Sequence, residues 1–143
     1  MTDKKENAIT ALTAEDRLEI AELFARWATY EDSGKSEEWA SLFTRDGSYV
    51  SAKGKKVAGH KALADNSRAR WAKPESRLAV HWFEQPIITA TSYGAHAEHY
   101  GMLIDRTPDG YKMRDLSLRT YELRREDGHW RIFDRGIKHL GEG

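Results

Sequence analysis

Six histidines and no cysteine set the chemistry open to this chain. Without thiols, disulfides, thiol catalysis and cysteine-ligated zinc or iron–sulfur sites are excluded together. Proton transfer between imidazole and carboxylate remains, because histidine is partly deprotonated near neutral pH with little tuning. His81 is the first candidate. It lies in Ala79-Val80-His81-Trp82-Phe83, where strand alternation puts Ala79, His81 and Phe83 on one face and Val80 and Trp82 on the other. Such an imidazole is either a base in a pocket or a core histidine held by structural partners, and the local pattern by itself favours the second. A carboxylate behind a histidine fixes its tautomer and stabilises the imidazolium. The segment Tyr30-Glu31-Asp32 at a helix end offers two. By helical phase Glu31, eleven residues after Ile20, falls nearer the apolar stripe than Asp32.

Further side chains could serve the same chemistry. Tyr30, Tyr49 and Arg135 are candidates to stabilise a developing negative charge. Tyr30 could equally be a packing aromatic, and a buried Arg135 would need an acid such as Asp115. His99 is either a second pocket histidine or a sheet-interface residue. His96, Glu98 and His99 invite a metal reading, yet alternation puts His99 opposite the other two, so no metal site is expected. His60 and His129 read as solvent residues.

The elements that must position these groups follow from periodicity. Residues 1–12 read as a charged lead-in and 13–140 as one domain. Thr13-Ala14-Glu15-Asp16 has the form of an N-cap followed by acidic residues. Ile20, Leu23, Phe24 and Trp27 then form one helical stripe, with Gly34 as the stop. A second helix restarts at Ser36 and buries Trp39, Leu42 and Phe43. Arg45-Asp46-Gly47 predicts a turn, and Ser48–Ser51 begins a strand. Lys53–Lys56 reads as a solvated basic turn, and His60–Trp71 as a third helix stopped by Pro74. From Leu78 the period falls to about two. Strands are predicted over 78–90, with a bulge or edge at Pro86, and over 94–105, 111–125 and 129–139, with a hairpin turn at Glu126-Asp127-Gly128. Helices followed by a meander of long strands is an α+β order. A curved sheet over helices leaves a mouth suited to a ligand.

Composition bounds the partners. The chain has 143 residues, one domain's worth. Lys plus Arg equals Asp plus Glu at 23 each, so no basic field exists to hold nucleic acid. The polar start, Met1 to Asn7, is followed by no apolar signal segment, and no run is long enough to span a membrane. A cytoplasmic setting is therefore expected. Fifteen aromatic residues suggest an aromatic or alicyclic ligand. Trp82 and its apolar neighbours on an outer sheet face predict a homodimer or homotrimer. Trp71, Trp82 and Met102 are placed at the pocket or at that interface.

From about Leu12 to Lys138 the chain resembles the SnoaL-like branch of the NTF2-like superfamily. The resemblance runs through Trp27-Ala28-Thr29-Tyr30-Glu31-Asp32 and Glu38-Trp39-Ala40-Ser41-Leu42-Phe43-Thr44-Arg45-Asp46-Gly47. It continues through Val57-Ala58-Gly59 and Tyr121-Glu122-Leu123-Arg124-Arg125-Glu126-Asp127-Gly128-His129-Trp130-Arg131-Ile132. It implies a cone of three helices packed on a long curved antiparallel sheet. Scytalone dehydratase-like and hexachlorocyclohexane dehydrochlorinase-like members are similar in carrying an Asp at the end of the first helix and a His on the first long strand, which correspond to Asp32 and His81. There the His takes a proton from carbon and the Asp orients the ring. Arg135 matches a pocket arginine of the dehydrochlorinases. Trp27 stands where that branch has a pocket lysine, so it is both a core and a pocket candidate. The resemblance thus implies a lyase, without cofactor, acting on a small hydrophobic molecule. A ketosteroid-isomerase-like isomerase and a polyketide cyclase are its neighbours. A non-catalytic binding module or a dioxygenase small-subunit-like protein is the other class.

Overall fold

The computed structural model describes residues 11–51 and 53–141. The predicted lead-in therefore lies almost entirely outside the described residues. Helix α1 spans Ala14–Asp32. Thr13 caps it: its hydroxyl accepts the Asp16 N–H at 3.0 Å, and the Asp16 carboxylate accepts the Thr13 N–H at 2.9 Å. Asp16 also accepts the Trp130 indole N–H at 3.1 Å and pairs with Arg125. The cap thereby pins the helix to the last hairpin. Ile20, Leu23, Phe24 and Trp27 are buried, as their spacing predicts. At the other end Gly34 has φ +70°, and a Cβ there would sit 2.4 Å from the Trp71 ring. Only glycine fits both demands.

Helix α2 is short, Ser36–Ala40. Strand β1 follows at Phe43–Val50 and β2 at Lys56–Ala58. Two expectations fail here. Phe43 belongs to the strand rather than the helix, and Arg45-Asp46-Gly47 is a bulge within β1 rather than a turn before it. Phe43 pairs with Ile132 and Ser48 with Asp134, so five steps along one strand match two on the other. Gly47 permits the fold-back, since a Cβ would lie 2.8 Å from the Ile132 carbonyl. Helix α3, His60–Trp71, leads through a 3₁₀ turn at Pro74–Leu78 into β3, Ala79–Phe83. His60 is half-buried, its Nε2 2.8 Å from the Phe43 carbonyl, and so is not a solvent residue. The strand predicted over 78–90 is two: β3, then β4 at Ile87–Ala90, separated at Glu84-Gln85-Pro86. Proline has no N–H to continue the ladder. Strands β5 (Ala95–Thr107), β6 (Gly110–Glu126) and β7 (His129–His139) complete the sheet. Asp127 and Gly128 both have positive φ, 54° and 79°, as a tight hairpin between twisted strands requires.

The sheet runs β2-β1-β7-β6-β5-β3, with β4 also on β5. All pairings are antiparallel except β1 with β7, which is parallel. The long strands curve over the helices. On the inner face the register aligns His81 with Leu103 and Asp115, His99 with Arg119, and Tyr121 with Arg135 and Tyr49. Phe24, Trp27, Trp39, Phe43, Tyr121 and Ile132 are each 3% exposed or less and form the closed end of the cone. The outer face carries Trp82, 64% exposed. No helix among the described residues is long and apolar enough to cross a membrane.

Candidate active site

The open end of the cone is a cavity of about 990 Å³ between α1, α3 and the inner face of the sheet. Asp32 and His81 meet on its wall. Asp32 is the last residue of α1, and His81 is the central residue of β3. One carboxylate oxygen lies 2.8 Å from His81 Nδ1, and the other accepts the His81 backbone N–H at 2.9 Å. The second bond locks the carboxylate to the strand, so the first has a fixed direction. A carboxylate only accepts, so in a neutral imidazole held this way the ring proton is on Nδ1 and the lone pair on Nε2. The side chains of His81 and Asp32 are 16% and 19% exposed, sheltered but reachable. Phe83 packs edge-on against the imidazole, ring centroids 5.9 Å apart.

Glu31 also lines the cavity but does not partner His81. It pairs with Arg70 of α3 at 2.8 Å. Arg70 in turn donates to the Tyr49 hydroxyl and to Asn66, and Tyr49 donates to Asn66. Burial raises the Tyr49 pKa, with Arg70 pulling the other way. Burial also works against the Arg70 charge, but Glu31 and Tyr49 hold its pKa above the ordinary value. Tyr49 is thus a fixed wall residue.

Arg135 lies in the cavity wall, 5% exposed. The expected pairing with Asp115 does not occur: Arg135 lies opposite Tyr121, six residues along β6 from Asp115, which meets His139 at 2.8 Å. Among the described residues Arg135 Nε has no partner, and one terminal nitrogen reaches the Val50 carbonyl at 3.4 Å. The guanidinium stacks instead on Tyr49 and Trp27, 4.8 and 5.5 Å from the ring centroids. Burial, then repulsion from Arg119, pushes its pKa down to about 10. Trp27 lines the cavity and is buried, combining both roles expected of it.

Two expected site residues lie elsewhere. Tyr30 is not in the cavity wall. It sits about 160° around the helix from Asp32 at ~100° per residue, and its hydroxyl accepts from Arg26 at 3.4 Å. His99 is 2% exposed and fully committed. Its Nδ1 donates to the Glu84 carbonyl at 2.9 Å, and its Nε2 accepts from the Tyr121 hydroxyl at 2.9 Å. Burial pushes its pKa down to about 4, so it is a neutral core histidine. His96 points to the other face, where it meets Glu122 at 2.5 Å. Trp71 joins the cavity, whereas Trp82 and Met102 line a shallow groove on the outer face.

Sequence reasoning missed Arg119 and Arg70. Both were signalled by period. Arg119 alternates with Ser117, Tyr121 and Leu123 on the inward face of β6, all buried. Arg70 follows Leu63 by seven residues, two turns along the buried side of α3.

The model of the SnoaL-like domain family matches residues 12–136. This chain belongs to that family. Solved structures share the fold. An NTF2-like protein with a cystatin-like fold from Novosphingobium aromaticivorans is 25% identical, with TM-score 0.77, covering 90% of this chain and 84% of its own. A protein of unknown function from Nostoc punctiforme, also 25% identical, superposes with TM-score 0.80 over 91% and 95% of the two chains. A Catenulispora acidiphila structure in complex with S-DNPA is 23% identical, with TM-score 0.76, over 89% and 95%. No curated protein matches the chain.

Proposed function

We propose that this SnoaL-like protein is a cofactor-independent lyase in which His81 removes a proton from carbon on a small ring-bearing substrate. One observation carries the reading: Asp32 grips both the ring and the backbone of His81 at the wall of a cavity large enough for a ligand. Nε2 of His81 takes the proton and the imidazole becomes cationic. Asp32 lies beside that new charge, and the negative end of the α1 dipole adds to its stabilisation. The electron pair left on carbon forms the double bond as a leaving group departs from the neighbouring atom. Arg135, a buried cation with donors unused among the described residues, is placed to hold negative charge on the bound substrate. The apolar rings of Trp27, Trp39 and Tyr49 favour an aromatic or alicyclic substrate.

The same scaffold supports isomerases and cyclases, which differ in using a carboxylate as the base. Here both Asp32 oxygens are engaged by His81, which favours the imidazole as base. The test follows elimination from a panel of cyclic β-hydroxy and β-halo ketones in D₂O by NMR. Wild-type protein is expected to form alkene and His81→Ala to be slower by ~10²–10⁴-fold. Asp32→Asn should lose a comparable factor, because an amide at this position can donate to Nδ1 and leave the proton on Nε2. Wild-type rates in either folded variant would refute the assignment. A larger loss in Asp32→Ala than in His81→Ala would shift it to a carboxylate-base isomerase.

A further inference from the structure

The charge on the cavity wall differs from that of the whole protein. The chain is neutral, yet eight lysines and arginines line the cavity against four carboxylates. Each carboxylate is already engaged: Glu31 by Arg70, Asp32 by His81, Asp65 by Lys61 and Arg68, Asp115 by His139. Of the cations without a carboxylate partner, the four lysines are exposed and Arg119 and Arg135 are buried. These two arginines are 7% and 5% exposed, and among the described residues no carboxylate lies within 4.0 Å of either. Neighbouring strands place them together: Arg119 and Tyr121 point inward from β6, and Arg135 sits opposite Tyr121 on β7. Each spends one face of its guanidinium on an aromatic ring, Arg119 on Phe83 at 4.9 Å and Arg135 on Tyr49 at 4.8 Å. Stacking uses the face and leaves the in-plane N–H edge available to an acceptor. Among the described residues that edge meets neutral oxygens, the Ser117 hydroxyl at 3.3 Å and the Tyr121 hydroxyl for Arg119 and the Val50 carbonyl at 3.4 Å for Arg135, and no carboxylate. Gly101 keeps the arrangement open, since a Cβ there would lie 3.2 Å from Arg119 Nε and 2.9 Å from Phe83.

Two sheltered cations without a counter-charge are unfavourable unless an anion joins them. We propose that the substrate is an organic carboxylate whose carboxylate group sits between Arg119 and Arg135, with its ring extending toward His81. The fork of an arginine matches the planar carboxylate, and two forks converge here. His81 on β3 and Arg119 on β6 are offset by one intervening strand and four residues of register, and Phe83 lies between them, its ring 5.9 Å from the imidazole and 4.9 Å from the Arg119 guanidinium. That span accommodates a ring between the base and the anion site. The proposal rests on the reading of this cavity as the active site and narrows its substrate class.

The test is equilibrium binding, read by quenching of the cavity tryptophans, with three probes of one shape: 2-naphthoate, 2-naphthamide and 2-naphthyl phosphate. Wild-type protein is expected to hold the carboxylate at least tenfold tighter than the amide and tighter than the phosphate. Arg119→Gln and Arg135→Gln should each remove about tenfold for 2-naphthoate while leaving 2-naphthamide unchanged. His81→Ala should keep the preference for the acid, so a failure of the proton-abstraction reading would show in turnover and not here. Equal binding of acid and amide by the wild type, or no binding of either at millimolar concentration, overturns the proposal without any variant having to fold. Tighter binding of the phosphate, or acid selectivity that survives both arginine substitutions, also overturns it.

Discussion

At the scale of single residues, two histidines on neighbouring strands have opposite fates. Among the described residues His81 has a partner at one ring nitrogen, whereas His99 has both bonded within the core. His99 therefore contributes a pH dependence to stability rather than to catalysis. Its folded pKa is about 4 against an ordinary 6.5, with burial the main cause; Glu84 and Arg119 are the charges facing it. Between those values the unfolded chain takes up a proton that the native protein refuses. Stability contributed by neutral His99 is thus intact above pH 6.5, falls as the pH drops, and is exhausted below about 4. The loss is on the order of 3 kcal/mol. Urea unfolding at pH 7 and pH 4.5 should show this slope in the wild type and a shallower one in His99→Gln. Equal slopes would contradict the assignment.

At the scale of elements, the N-terminus of α1 is the joint that holds helix to sheet. Asp16 satisfies the Thr13 N–H, the Trp130 indole and Arg125 at once. Asp16→Ala should cost about 1–3 kcal/mol in denaturant unfolding, more than a cap alone, because the Trp130 N–H is left buried without a partner. A cost below about 0.5 kcal/mol would show that the hairpin does not depend on this joint. The same helix shows what was legible beforehand. Its cap, stripe and stop were written in Thr13, in Ile20, Leu23, Phe24 and Trp27, and in Gly34, all local signals. The bulge at Arg45-Asp46-Gly47 was not legible, because only the parallel pairing with β7, far along the chain, turns those residues into strand. The choice of Asp32 over Glu31 was likewise not local. Helical phase favoured Glu31, and Arg70 on another helix claims it. His99 was ambiguous because its partners, the Glu84 carbonyl and the Tyr121 hydroxyl, come together only in the folded sheet.

At the scale of the whole molecule, the sheet presents an apolar outer strip. Trp82, Met102 and Leu116 lie in register across β3, β5 and β6, with Tyr100 and Leu140 beside them. Trp82, Tyr100 and Leu140 are 64%, 50% and 39% exposed. A patch of this kind calls for cover, and a second copy of the chain is the partner we expect. Light scattering at micromolar concentration should report a dimer or trimer, and Trp82→Asp should shift it toward monomer. A wild-type monomer would contradict the expectation.

The central claim is that Asp32 presents His81 to the cavity with Nε2 unprotonated. Side-chain ¹⁵N NMR of the free protein at pH 8 reads this directly and needs no substrate. The account predicts that His81 is the Nδ1–H tautomer and that Asp32→Asn abolishes that preference. A His81 found as the Nε2–H tautomer in the wild type would contradict it.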